Sequence, residues 1–353
     1  MSVVINGTNG VTYNDGTVQA SAPVGKNKII NGDMRIDQRD GTSTINATGV
    51  TYNVDRWLGR GVGSAGVFTL AQSTTSPVDY TNSLKATVTT ADSSIASGSS
   101  YRIQQMVEGY NLADLNWGTA DAQSVTLSFW VRSSVTGTFG GSVANGDYNR
   151  FNVFSYTVSS ADTWEYKTVT IAGDTSGTWV TNNALGLRLN FSIGAGSTLL
   201  TSAGSWGSSA KEGVTGQVNL IATNSATFHI TGVQLETGTT ETPFEYLQLG
   251  QQLSLCQRYY QYYDQGVNAY SSTGIIGFPL STCMRSTPTL TLSYSGTANR
   301  VYRIDTGATS DLTIAATALT DKSFVSLFAT SPGGWASAAG VGFRSTFVFD
   351  AEL

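Results

Sequence analysis

The sequence predicts an all-β protein: a large β-sandwich, one short helix, and a smaller second β domain. Three observations predict it. Apolar and polar residues alternate with a period of two through most of the chain, the pattern of half-buried strands. Clusters of Gly, Ser, Asn and Asp punctuate those runs at intervals too short for intervening helices. One stretch, residues 248–265, replaces the alternation with a 4-3 spacing of apolar residues. At 353 residues the chain is long enough for two domains with separate cores.

Residues 1–25 hold short alternating pieces, Ser2 to Ile5, Val11 to Tyr13 and Thr17 to Gln19, separated by Asn6-Gly7, Asn9-Gly10 and Asp15-Gly16. Asn-Gly and Asp-Gly supply the positive φ of tight hairpin turns. Strands this short are marginal alone, so the segment needs the next domain or other copies of the chain to be ordered.

Residues 26–247 read as the sandwich. Tyr101, Ile103 and Val107 line one face of a strand; so do Val125, Leu127, Phe129 and Val131, and Leu185, Leu187, Leu189, Phe191 and Ile193. These rows form the expected core. The opposite faces carry Arg102, Gln104 and Met106, then Ser128, Trp130 and Arg132, then Arg188, Asn190 and Ser192. An indole offers a flat surface to sugar C–H groups, while Arg, Asn and Gln pair with hydroxyls. Trp130, Arg132, Arg102, Gln104, Arg188 and Asn190 are therefore candidate glycan-binding residues. Trp and Arg are also enriched in protein interfaces, so packing against a neighbouring copy is the competing reading. The pattern does not settle the exposure of Trp117, Trp164, Trp179 and Trp206.

In residues 248–265, Leu249, Leu253, Cys256, Tyr260 and Tyr263 fall at gaps of 4, 3, 4 and 3. That rhythm suits helices meeting around a shared axis, an oligomer seam. The alternative is a helix packed on its own chain, which Leu255, Tyr259 and Tyr262 support by widening the apolar surface. Residues 266–353 alternate again in six stretches, Gly274 to Leu280, Leu290 to Tyr294, Val301 to Ile304, Leu312 to Ala315, Phe324 to Phe328 and Phe343 to Phe349. Pro279 and Pro288 limit the strands on either side of a CMRST turn.

Several chemistries are disfavoured. Charged residues are only 12% of the chain and the net charge is −5, so no basic field for nucleic acid is expected. Cys256 and Cys283 lie in no metal-ligand spacing, which leaves two reduced thiols or a single bridge. No metal site or other cofactor is signalled. The single histidine, His229, sits in a strand-like run with no GxSxG elbow elsewhere, which points to a structural or surface role. Glu236 with Glu241, or Asp33 with Asp37, would suit glycosidic acid/base chemistry, but acids in turns usually cap or solvate them. No run suits a membrane span and the N-terminus lacks a secretory pattern, so synthesis in a cytoplasm is expected.

KNKIINGDMRIDQR, TYNVDRW, VTLSFWVRS, FHITGVQLETGTTETPFEYLQLGQQLSLCQRYYQ and FVFDAEL, in that order, resemble bacteriophage tail-fibre and receptor-binding proteins. The opening TYNDGTVQASA is similar to the N-terminal segments of such fibres. The resemblance spans nearly the whole chain and implies a homotrimeric virion protein in an external appendage. Its N-terminal segment would join other tail or capsid proteins, and its C-terminal β domains would face host surface polysaccharide. Residues 28–236 also resemble the jelly-roll carbohydrate-binding modules of glycoside hydrolases, whose first strand reads NGDFE and last DDV. Here Asn31-Gly32-Asp33-Met34 is followed by Arg35, where those modules often place a calcium-ligating glutamate, and Thr231-Gly232 precede Val233, so the resemblance implies no structural calcium. A non-enzymatic adhesin leads. A purely structural virion part, such as a head fibre or tail adaptor, is the alternative, and a depolymerase or esterase is disfavoured by the lone histidine.

Overall fold

The fold comes from a computed structural model, which describes residues 4–6, 10–12, 18–19, 25–39, 42–45, 49–63, 65–269, 274–294, 297–298, 300–303, 309–311, 313–318, 324–330 and 341–353. The chain divides into two compact units, Met1–Gln248 and Leu249–Leu353.

In the first unit, Val4–Asn6, Gly10–Thr12 and Val18–Gln19 pair as a small antiparallel sheet. The rest of the unit is built on two larger sheets. One has six strands in the order Glu165–Ile171, Val125–Ser133, Thr227–Thr237, Ser83–Thr90, Val67–Ser73 and Thr42–Ile45. The other has seven: Trp206–Gly207, Phe151–Val158, Gly137–Asn145, Leu185–Ala195, Ser100–Glu108, Trp57–Val62 and Val50–Tyr52. Every pairing within both is antiparallel.

The core lies between the sheets, where the alternation placed it. Val125, Leu127, Phe129 and Val131 are fully buried against Tyr101, Ile103, Leu187, Leu189, Phe191 and Ile193. Phe129 meets Phe191 edge-on across the two sheets, with ring centroids 5.1 Å apart.

The motif INGDMRID closes one end of this core. Asn31 adopts a left-handed conformation, φ 57°, which Asn tolerates because its side chain bonds the nearby backbone. Its Nδ2 donates to the carbonyls of Ile36 (2.8 Å) and Asp55 (3.0 Å), and its Oδ1 accepts from Ile36 N at 3.0 Å. The Asn31 carbonyl in turn accepts the Trp57 indole N–H at 3.0 Å. A Cβ on Gly32 would lie 2.1 Å from the Val233 carbonyl, so only glycine lets this turn close onto the last strand. INGDMRID, NVDRW and ITGV, which carry the family resemblance, therefore meet as one structural clamp.

The second unit opens with a helix, Leu249–Gln257, shorter than the 248–265 expected. Residues Tyr260–Ala269 are instead a strand, paired antiparallel with Val341–Asp350. Tyr260 and Tyr263 are thus not on the helix with Leu249, Leu253 and Cys256. The reason is that aromatics suit a pleated surface better than a helix, and Tyr263 packs edge-on against Phe349 at 6.0 Å. On the helix Cys256 is buried, whereas Leu249 and Leu255 are exposed. Gln261 ties the helix end to the next turn, donating to the carbonyls of Gln257 (3.0 Å) and Thr282 (2.8 Å). Further strands, among them Gly274–Pro279, Thr289–Tyr294, Arg300–Arg303, Thr313–Ala318 and Phe324–Thr330, complete two sheets. No disulfide joins buried Cys256 to exposed Cys283.

Candidate functional site

The outer face of the seven-stranded sheet is laid out in rows by the antiparallel register. One row runs Val50, Arg60, Arg102, Ser192. The next runs Tyr52, Leu58, Gln104, Asn190, Ser142, Val153. The third runs Met106, Arg188, Ala144, Phe151. Cross-strand partners share a face, so Arg102, Gln104, Arg188 and Asn190 come together as their alternation implied.

This face carries unusual electrostatics. Arg60 stands directly opposite Arg102, an arrangement that destabilises a sheet. Buried Arg102 is compensated: its Nη1 pairs with the Glu212 carboxylate and donates to Ser100 Oγ at 2.7 Å. Among the described residues no carboxylate lies within ion-pair distance of Arg60 or Arg188. Burial holds the Arg188 guanidinium below its ordinary pKa, with the neighbouring charges of Arg60 and Arg102 adding to the shift and Tyr148 and Tyr52 opposing it.

Among the described residues, several polar atoms under this face find no hydrogen-bond partner: both amide atoms of Gln104, Asn190 Oδ1, and the Nε atoms of Arg60, Arg102 and Arg188. Gln104 and Asn190 are fully buried, so each orphan atom is costly. Asn190 spends its amide on Ser142 Oγ at 3.0 Å.

Tyr148 lies over the arginines from the turn 145–150. Arg188 sits 4.5 Å above the centre of its ring, and Arg102 Nη2 donates to its hydroxyl at 3.1 Å. The turn is held by buried Asn145, whose Oδ1 accepts from the Asn149 and Arg150 amides at 3.0 and 3.1 Å. Its Nδ2 donates to Asn149 Oδ1 and the Thr178 carbonyl. Tyr148 itself has φ 59°, a strained value for a tyrosine.

Tyr148 also meets Phe151 edge-on at 5.1 Å, and Phe151 lines an adjoining cavity of about 320 Å³. Ser and Thr hydroxyls, Trp206 and Lys211 form most of its wall. Trp206 is anchored by its indole N–H to the Ala172 carbonyl (2.7 Å) and by edge contacts with Trp117 and Trp179. The whole is a run of cations, amides, hydroxyls and aromatic surfaces, which can bind a polar ligand by many shallow contacts.

Trp130 and Arg132 do not join it. Their strand belongs to the six-stranded sheet, so they face outward on the opposite side of the sandwich. There Trp130 packs against Tyr166 at 5.3 Å, and Arg132 forms an ion pair with Asp162 at 3.0 Å. The alternation showed which residues share a face of a strand, but not which sheet the strand joins.

His229 is buried in that same sheet, 5.9 Å from the ring of Trp164 and 3.2 Å from Ser83 Oγ through its Nδ1. Ser83 gives its hydroxyl proton to the Thr75 carbonyl at 2.6 Å, which leaves the imidazole as donor to Oγ, the reverse of a general base. Burial, then the charges of Arg132 and Lys85, push the imidazole from 6.5 down to about 4. Because the folded state resists protonation, stability is complete above about pH 6.5 and falls by about 3 kcal/mol on acidification through about pH 4. Urea midpoints at neutral and acidic pH should therefore fall further for the wild type than for His229→Phe. Equal falls would contradict this assignment.

Among the carboxylates, Glu236 is buried and accepts from the Thr242 amide at 2.8 Å and hydroxyl at 2.6 Å, so it caps the turn that follows its strand. Arg35 occupies Asp33 with its guanidinium and donates to the Leu247 carbonyl at 2.8 Å. A cation ligated by Asp33 would face that positive group, so the residues present do not fit a structural calcium.

The sequence pattern does not mark Arg60, Tyr148, Glu212 or, apart from Trp206, the cavity residues. The WLGRGV stretch alternates weakly because glycines take two of its positions, which hides Arg60. Glu212 lies in irregular chain, and Trp206 in a two-residue strand, both too short of pattern for periodicity to apply.

No protein-family model and no curated protein matches the chain. Solved structures resemble it distantly. The enzymatically active domain of bacteriophage CBA120 tailspike protein 4 is 12% identical over 60% of this chain, with a TM-score of 0.29, and this chain spans 21% of it. A sugar-binding protein from Bacteroides thetaiotaomicron, so described provisionally, is 13% identical over 60% of this chain and 100% of its own, TM-score 0.34. A family 11 carbohydrate-binding module from Clostridium thermocellum, in complex with a β-1,3-1,4-mixed-linked tetrasaccharide, is 14% identical over 57% of this chain and 98% of its own, TM-score 0.27. At these scores the likenesses say nothing of the site's chemistry.

Proposed function

We propose that the protein binds glycan without catalysis through the outer face of its seven-stranded sheet. The observation that carries this is the set of orphan polar atoms on Gln104, Asn190, Arg60, Arg102 and Arg188 beneath one face, beside an aromatic and a hydroxyl-lined cavity. These atoms are buried, so a hydroxyl-rich ligand, which offers partners of both kinds, would reach them by displacing the side chains that cover them. The chain's resemblance to phage fibres supports the setting: a homotrimeric virion protein whose weak sites act together on a polysaccharide-coated cell.

A glycan array with purified variants tests the location. Tyr148→Ala should weaken binding about tenfold, the loss typical of an aromatic at the centre of a contact, while Trp130→Ala should bind like the wild type. Loss in Trp130→Ala with retention in Tyr148→Ala would move the site to the other sheet.

Exposed Leu249 and half-buried Leu253 on the helix support the oligomer seam. Leu253→Asp should lower the mass measured by light scattering, because association would bury unpaired carboxylates. An unchanged mass contradicts the seam. The structural reading, a head fibre or tail adaptor, follows if a correctly assembled oligomer binds no glycan.

A further inference from the structure

We infer that the glycan is acidic, carrying a carboxylate or an ester phosphate or sulfate that seats between Arg60 and Arg188. This rests on the glycan reading above. The chain is poor in charge and net negative, yet it places three guanidiniums on adjacent strands of one face. Among the described residues only one of them has an acidic partner, Glu212 on Arg102.

A neutral sugar would leave Arg60 and Arg188 repelling each other and Arg102 at partial burial. An anion removes that repulsion and takes the orphan N–H donors in the planar geometry that suits guanidinium. Tyr148 contributes by holding Arg188 over its ring, and Asn145 by fixing the turn that presents Tyr148. Gln104 is buried between the arginine rows with no partner on either amide atom among the described residues, so a ligand hydroxyl would pair with it only by displacing the side chains that cover it. The ligand then runs past Phe151 toward the hydroxyl-lined cavity, whose single cation, Lys211, donates to the Thr198 carbonyl at 2.6 Å. Local rules of pairing are broken where a ligand completes the set.

The test uses the full-length wild-type protein and a panel of immobilised bacterial polysaccharides. The panel includes uronate-bearing members with their carboxyl-reduced forms, sulfated and phosphorylated members with their de-esterified forms, and neutral members. Binding to an acidic member should fall at least about tenfold on removal of its charge, and should fall with added salt. Arg60→Gln and Arg188→Gln should each lose about tenfold on the acidic member, with melting temperatures no lower than that of the wild type. The carboxyl-reduced and de-esterified arms tell which anion it is. Equal binding before and after charge removal, or binding to neutral members alone, overturns the acidic assignment and leaves glycan binding standing. Binding to no member overturns both.

Discussion

Trp57→Ala is expected to destabilise the first unit by about 4 kcal/mol, a large share of what a domain of this kind has to lose. Trp57 is fully buried, its ring lies 6.4 Å from that of Phe191, and its N–H is the donor to the Asn31 carbonyl. Truncation leaves a cavity under the seven-stranded sheet and strips a buried carbonyl of its donor, two penalties that add. The Asn31 clamp joins the first segment to Ile36 and Asp55, so its loosening should spread along INGDMRID. Chemical denaturation followed by intrinsic fluorescence at constant pH measures it. A loss under about 1 kcal/mol would mean that the end of the sandwich is held by something other than this clamp.

Glu212→Gln is expected to cost about 3 to 5 kcal/mol, because it leaves the Arg102 guanidinium buried without its counter-charge and beside Arg60. Arg102→Met on the same background should recover part of that loss, since removing both charges is cheaper than removing one. The pair of variants separates an electrostatic cost from one of packing. If Glu212→Gln is neutral, the arginines are better solvated than their burial implies, and a glycan would gain less from reaching them.

Much of the architecture was legible because a sheet with one buried face leaves period-two alternation in the sequence. The rows through Tyr101, Val125 and Leu187 could be assigned to the core residue by residue, and the polar mix behind Arg102 and Arg188 followed from the same parity. Sheet membership was not legible, since alternation within a strand carries no information about its neighbours. That is why the pattern groups Trp130 and Arg132 with residues that lie on the far side of the sandwich. The helix end differs from the expectation because Tyr260 and Tyr263 continue the 4-3 helical spacing, while their aromatic side chains also suit a strand, and the pairing with Val341–Asp350 decides for the strand. Tyr148 and Glu212 come from a turn and from irregular chain, where backbone geometry rather than pattern places the side chain.

The central claim is the place of the site, and hydroxyl-radical footprinting of the wild-type protein with a bound oligosaccharide addresses it directly. The account predicts protection of Tyr148 and Tyr52 on the seven-stranded sheet, with Trp130 and Tyr166 on the six-stranded sheet labelled as in the free protein. Protection of Trp130 and Tyr166 with Tyr148 unchanged would contradict it.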